Sequence, residues 1–323
     1  MKRSLFLAAA GTAGLANALG APAIAQTPAK LLVGYWPISS ALPFFVAAQK
    51  GYWKDAGVDV ELVKFSDQVK VTEALLAGRI DATATGTGST QLGLAEAASP
   101  DFFKILAANL SSAKSILDEV IVAKDAPYKK ISDLKGKKLA TGVGPQAALE
   151  AKLIFGKNGV DGPIQELLPS QHIAAIASGQ IDAAYTYEPN GTVGRLSGTT
   201  RVLESGVRSR YMLGNPDAPW YGGAAVISTD AMKSKPAAVK SYVTGMKRGF
   251  VEVRTNLNAA RAVYPAYTTY DVKLAEAIPE IFYTIYDEFK PSDIRYFQDN
   301  YDLFYAQKIL SRKLDVAGML YKA

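Results

Sequence analysis

Apolar and polar positions along this chain switch repeatedly between a strand-like and a helix-like period. Residues 31–35 form a short apolar run closed by Trp36-Pro37. Over 43–56, Phe44, Phe45, Ala48 and Trp53 recur at helical spacing, with Pro43 suited to a first turn and Gly57 to a stop. Residues 58–65 alternate as a strand, 69–77 read as a helix ended by Gly78, and 80–85 return to strand. Gly86-Thr87-Gly88-Ser89 opens a helix that runs to about Ala98, and 103–108 form another strand. Strand and helix in succession predict a parallel sheet with helices on its faces.

A second cycle follows. Residues 117–123 are an extended run suited to crossing between two lobes, and 131–136 lead through a turn-rich stretch into 138–142. Then come a helix over 146–156, a strand over 164–168, a helix over 172–178 and a strand over 181–187. Residues 73–82 and 173–184 echo each other: an apolar helix, a Gly stop, Ile-Asp-Ala, then a strand. The echo points to two lobes built alike. Residues 223–228 form a second crossing candidate, and from Pro236 the period is helical through Tyr242, Met246, Phe250 and Val253, with further helices near 272–283 and 294–308. Lobe 1 is therefore expected over 29–117 and 224–323, lobe 2 over 118–223, with the ligand site in the cleft between them.

Composition narrows the chemistry. With 49% hydrophobic and 20% charged residues among 323, the chain has apolar surface enough for a sizeable core, which excludes a disordered protein. The net charge of +6 is dispersed, so the clustered Lys and Arg that nucleic-acid binding needs are missing. There is no Cys and one His, which removes thiol nucleophiles, disulfides and Cys-type metal sites. His172 follows Pro169-Ser170-Gln171 at a helix start, where histidines are commonly solvent-exposed, and no Ser or carboxylate pair stands in a catalytic pattern. No catalytic residue, metal or cofactor is expected. At the N-terminus, Lys2-Arg3, an Ala-rich and Gly-rich stretch over 5–21 and Ala23-Ile24-Ala25 have the form of a cleavable signal peptide of 25 residues, exported by the Sec or Tat route. Its removal lowers the net charge to +4 and leaves a periplasmic protein.

Four ordered motifs carry a resemblance. These are the stretch from Leu42-Pro43-Phe44-Phe45 through Gly51-Tyr52-Trp53-Lys54-Asp55-Ala56-Gly57 to Leu62, then Leu76-Ala77-Gly78-Arg79-Ile80-Asp81-Ala82, Ile131-Ser132-Asp133-Leu134-Lys135-Gly136-Lys137-Lys138-Leu139-Ala140, and Ile181-Asp182-Ala183-Ala184-Tyr185-Thr186-Tyr187-Glu188-Pro189. Together they resemble the periplasmic substrate-binding proteins of ABC importers for nitrate, taurine and aliphatic sulfonates, the NMT1/THI5-like family, which also includes binders of pyrimidine precursors. The resemblance spans roughly residues 31–265. It implies an α/β type II periplasmic binding protein fold, two lobes joined by a two-strand hinge, and a monomer that delivers a small-molecule anion to an inner-membrane permease. The eukaryotic pyrimidine synthases that resemble this family use a Cys-rich segment, which this chain lacks.

The loops supply candidate ligand-binding residues. A helix N-terminus offers unpaired N–H groups and partial positive charge, so Gly86, Thr87, Gly88 and Ser89 in lobe 1, and Gly142, Val143, Gly144 and Gln146 in lobe 2, are placed to grip an oxyanion between facing helices. Each loop also reads as a plain strand-to-helix turn with a capping hydroxyl. Trp36, Ser39 and Ser40 follow the first strand, and Trp36 reads either as an aromatic wall for a carbon-bearing ligand or as a cap on the sheet end. Tyr185 and Tyr187 alternate onto one face of their strand. Glu188 reads as a receiver for an ammonium or as a structural cap before Pro189, and Asn109 and Tyr221 are further candidates.

Overall fold

The computed structural model describes residues 30–323. The expected signal peptide lies outside the described residues. In chain order, β1 (Lys30–Tyr35), β2 (Asp59–Lys64), β3 (Ala82–Thr83), β4 (Thr87–Gly88) and β5 (Phe103–Ser111) belong to a first sheet. A second sheet takes β6 (Asp118–Ala123), β7 (Leu139–Thr141), β8 (Ile164–Glu166), β9 (Ala183–Tyr187) and β10 (Thr200–Ser205). The chain then returns through β11 (Trp220–Ser228) and β12 (Phe282–Ile285) to the first.

The two sheets share one topology. The first runs β2-β1-β3-β11-β5-β12 and the second β8-β7-β9-β6-β10. Each begins with three parallel strands, and the strand arriving from the other lobe, β11 or β6, then pairs antiparallel. Mixed sheets replace the parallel ones expected, because a chain crossing between lobes enters its sheet from the opposite end.

The echoed segments explain part of this likeness. Helix Gln68–Leu76 and helix His172–Ala177 each end at a left-handed glycine, Gly78 at φ 64° and Gly179 at φ 73°, a conformation that favours a residue without Cβ. Three residues on, Asp81 N donates to Leu32 O at 2.8 Å while its carboxylate accepts from Leu32 N at 2.9 Å. Asp182 makes the same pair of bonds with Lys138, both at 2.8 Å. The repeated acid thus closes the ladder where a third strand enters, which is a structural duty.

Four boundaries differ from the pattern reading. Residues 118–123 and 223–228 are not crossings but interior strand, paired in β6 and β11. Their apolar character belongs to buried sheet, whereas the crossings at 112–117 and 213–219 are polar turns lying side by side, Ala113 N donating to Pro216 O at 2.8 Å. The helix expected over 43–56 is two, Leu42–Gln49 and Tyr52–Asp55, broken by Gly51 at φ 70°. That expected over 272–283 stops at Ala277, just short of Pro279, and β12 takes its end.

Apolar clusters cover both faces of each sheet. Helix Leu42–Gln49 packs with the long helix Pro236–Thr255 on one face of the first sheet; helix Pro291–Ala306 covers the other, stacking Phe297 on Tyr221 with centroids 5.2 Å apart. Leu149, from the second lobe's helix Pro145–Lys157, joins this first-lobe cluster, so the lobes are in contact.

Candidate functional site

Between the lobes lies a recess of about 20 Å³, room for roughly one water. Trp36, Gly86 and Asn109 face it from the first lobe, Gln146, Tyr187 and Arg208 from the second. Trp36 Nε1 donates to Gly86 O at 2.9 Å, which fixes the indole across the recess mouth. Asn109, near the end of β5, accepts from Gly86 N through Oδ1 at 2.8 Å and so keeps its amide NH₂ as the donor it can offer a ligand.

Arg208 is the buried cation of the site, 2% exposed. Its Nε stands 3.1 Å from Asp118 Oδ1 and its Nη1 3.5 Å from Glu150 Oε1, and its guanidinium lies 5.2 Å from the centre of the Tyr187 ring. Asp118 opens β6 at the crossing and also accepts from Arg208 N at 2.9 Å and from the Ser111 hydroxyl. Arg208 therefore ties the recess to the hinge. Glu150 in turn accepts from Tyr185 Oη at 2.6 Å, Tyr187 Oη at 3.0 Å and Gln146 Nε2 at 3.0 Å. The two tyrosines do share one face, as alternation requires, in an edge-on contact at 5.5 Å. Burial, followed by the Glu150 charge, pushes both phenols well above their usual range, so they remain donors.

The Gly-rich turns behave differently from the expected anion grip. Thr87 Oγ1 donates back to Ala84 O at 3.0 Å and Ser89 Oγ to Tyr221 O at 2.7 Å, because a buried hydroxyl beside a strand end takes the nearest carbonyl. In the second lobe Gly144 N donates to Glu166 Oε2 at 2.9 Å, and Val143 is exposed. What joins the two helix N-termini is the Gln146 side chain. Its Oε1 accepts from Thr90 N at 3.1 Å and its Nε2 donates to Gly222 O at 2.9 Å, so a neutral amide from one lobe sits on the donors of the other. Gly88 permits this closeness: a Cβ there would stand 2.3–2.7 Å from the side-chain oxygens of Gln68, Gln91 and Gln146. Gly142 lies behind the turn, against Ala147 and Pro169.

A second, larger chamber of about 480 Å³ opens beyond Trp36 and Tyr187. Pro37, Tyr270 and Leu274 from the first lobe and Leu168, Ile173, Pro189 and Val193 from the second give it mostly apolar walls. Glu188 borders it, but its carboxylate is engaged: Oε1 accepts from Thr192 Oγ1 at 3.0 Å and Oε2 from Thr192 N at 3.3 Å, with Arg195 Nη2 at 3.5 Å. Of the two roles open to Glu188, this is the cap, on the helix Asn190–Ser197. Behind it Glu119 is buried and pushed up to about 9, first by burial and then by the Glu188 charge. Ser39 Oγ donates across the cleft to Glu188 O at 3.3 Å, while Ser40 is buried beside Gly86.

The candidate Tyr221 and the lone histidine both lie other than expected. Tyr221 stacks inside the first lobe with its hydroxyl 3.1 Å from Thr284 Oγ1, since its position in β11 faces the core helix and not the cleft. His172 is not exposed but fully buried, its Nδ1 2.9 Å from Thr186 Oγ1 and its Nε2 3.3 Å from Thr141 O and Leu167 O. Burial lowers its pKa and keeps the ring neutral. Among the described residues no group of three or more His, Asp or Glu is placed to hold a metal ion. Pattern reading missed Arg208 and Gln68. The available signal was indirect: Asp118 and Glu150 sit at buried positions of an apolar strand and helix, and a buried acid calls for a cation or donors close by.

Residues 39–258 match the family described as NMT1/THI5 like. The chain belongs to this family. A Brucella abortus protein described as a binding protein is 28% identical over 220 residues, covering 66% of this chain and 62% of the relative. An Escherichia coli protein described as an aliphatic sulfonates-binding protein is 28% identical over 209 residues, 64% of this chain and 63% of the relative. The chain thus matches less than two thirds of the length of these curated relatives. Among solved structures, the alkanesulfonate-binding protein SsuA of Xanthomonas axonopodis pv. citri, bound to MOPS, superposes with a TM-score of 0.72 at 23% identity, over 93% of this chain and 100% of that one. The fold is that of the periplasmic binding proteins.

Proposed function

We propose that this chain is the solute-binding component of an ABC importer, capturing a small organic anion in the interlobe cleft and passing it to an inner-membrane permease. Sulfonates, taurine-like ones included, rank first as ligands, ahead of carboxylates, pyrimidine precursors and nitrate. One observation carries the reading: Trp36 and Asn109 from one lobe and Gln146 and Arg208 from the other converge on a single recess. A ligand seated there touches both lobes, so its binding energy is available only when they shut, and it shifts the population toward the closed form that a permease recognises. The names of the relatives, the expected signal peptide and the absence of a transmembrane-length apolar helix among the described residues support a periplasmic carrier. An exported enzyme is disfavoured by His172, whose ring has no face toward the cleft chambers.

Thermal-shift and calorimetric titration of the purified protein with alkanesulfonates, taurine, carboxylates, hydroxymethylpyrimidines and nitrate tests the proposal. A binder present at one hundred times its Kd adds roughly 2.7 kcal/mol to stability. Saturable binding of an organic anion without turnover is expected; turnover of any of these compounds would remove the carrier reading.

A further inference from the structure

The shape and charge of the cleft narrow the ligand class, an inference that rests on the carrier reading above. We infer that the ligand is an aromatic monoanion, bound with its acidic group in the inner recess and its ring in the outer chamber. Three observations lead there. The recess of about 20 Å³ has room for roughly one water-sized atom, such as one oxygen of an acidic head group, while the adjoining chamber of about 480 Å³ has the volume of a small-molecule site. An inorganic anion or a two-carbon sulfonate would leave that chamber wet and its apolar walls unused.

The walls also set the ligand's direction. The chamber is lined by no Lys or Arg, and its acid, Glu188, already accepts from Thr192, so a negative group meets no cation there. Flat contacts are plentiful instead: the Trp36, Tyr187 and Tyr270 rings with Pro37 and Pro189 between them. The chamber's polar groups, Ser66, Ser170, Asn190 and Thr269, are all neutral, and the cation, Arg208, lies inward with Asn109.

The head group's charge is limited as well. Arg208 has Asp118 at 3.1 Å on one side and Glu150 at 3.5 Å on the other, so its cation is already outnumbered by carboxylates. A dianion entering the recess would meet that surplus in a poorly solvated space, whereas a single delocalised charge can be held by the amide NH₂ of Asn109 beside the guanidinium, both N–H groups of Gln146 being taken by Glu150 and Gly222.

Calorimetry of the full mature chain with benzenesulfonate, methanesulfonate, nitrate, phenyl phosphate and neutral benzenesulfonamide tests this. Benzenesulfonate is expected to bind at least about tenfold more tightly than methanesulfonate or nitrate, the return on burying a ring. It should also exceed phenyl phosphate at pH 8 and benzenesulfonamide. Methanesulfonate or nitrate binding as tightly as benzenesulfonate overturns the inference and leaves the carrier reading standing; phenyl phosphate or the sulfonamide matching it overturns the monoanion part. Failure of every compound in this series and in the wider screen defeats both. Val193→Trp, which fills the chamber from the second lobe, should bring the benzenesulfonate-to-methanesulfonate affinity ratio down toward one, and Leu274→Trp does the same from the first lobe should the former not fold. An unchanged ratio in a folded variant counts against the chamber as the ring's seat.

Discussion

Between pH 6 and 8 the folded protein holds a proton that its unfolded chain has given up. Glu119 sits behind Glu188 in a pocket closed by Gly191, with Arg195 Nη1 3.4 Å from Oε1, and burial together with the Glu188 charge pushes it up to about 9. Glu188 is raised in the same direction, chiefly by burial. Since the native state binds more protons than the unfolded one between the usual 4.5 and about 9, stability falls as pH rises through that window. One extra proton gives a slope of about 1.4 kcal/mol per pH unit, hence a loss of roughly 2.7 kcal/mol from pH 6 to 8. At about 2–4 °C per kcal/mol for a chain of this size, Tm drops by roughly 5–10 °C. Glu119→Gln keeps a donor toward Glu188 and carries no titratable proton, so it should flatten the curve and become progressively more stable than wild type as pH rises. Urea unfolding of both proteins at several pH values reads the effect directly. Parallel pH curves for wild type and variant, or wild-type stability that climbs from pH 6 to 8, would refute the shared-proton account.

Other outcomes follow from the same geometry. Arg208→Met leaves Asp118 and Glu150 buried without their cation and should cost about 3–5 kcal/mol of unfolding free energy; a loss under about 1 kcal/mol by urea titration contradicts the pairing. Tyr187→Phe removes one of the donors to Glu150 and should cost about 1–3 kcal/mol, measured the same way, with no change in fold by circular dichroism. Gly88→Ala puts a Cβ 2.7 Å from Gln146 Oε1 across the lobe junction while its φ of −62° suits alanine, so the lobes should stand further apart, visible as a larger radius of gyration in small-angle scattering and weaker ligand binding. An unaltered scattering curve speaks against that contact as a determinant of closure.

Local pattern alone determined much of this protein. Periodicity placed the helix Gln68–Leu76, the glycine stops at 78 and 179 and the strands on either side, because helix period, capping glycine and β-alternation are written within a dozen neighbouring residues. The echoed Ile-Asp-Ala announced two lobes of one topology, and Trp36, Gly86, Asn109, Gln146 and Tyr187 were singled out from loops and strand ends that do face one recess. Only the tertiary structure decided the rest. Whether Ser89 offers its hydroxyl to a ligand depends on the carbonyl of Tyr221, 132 residues away. Arg208 became the site's cation because β6 and helix Pro145–Lys157 bring Asp118 and Glu150 to it from 90 and 58 positions away. Burial and long-range pairing are properties of the packed chain, and no window of sequence contains both partners.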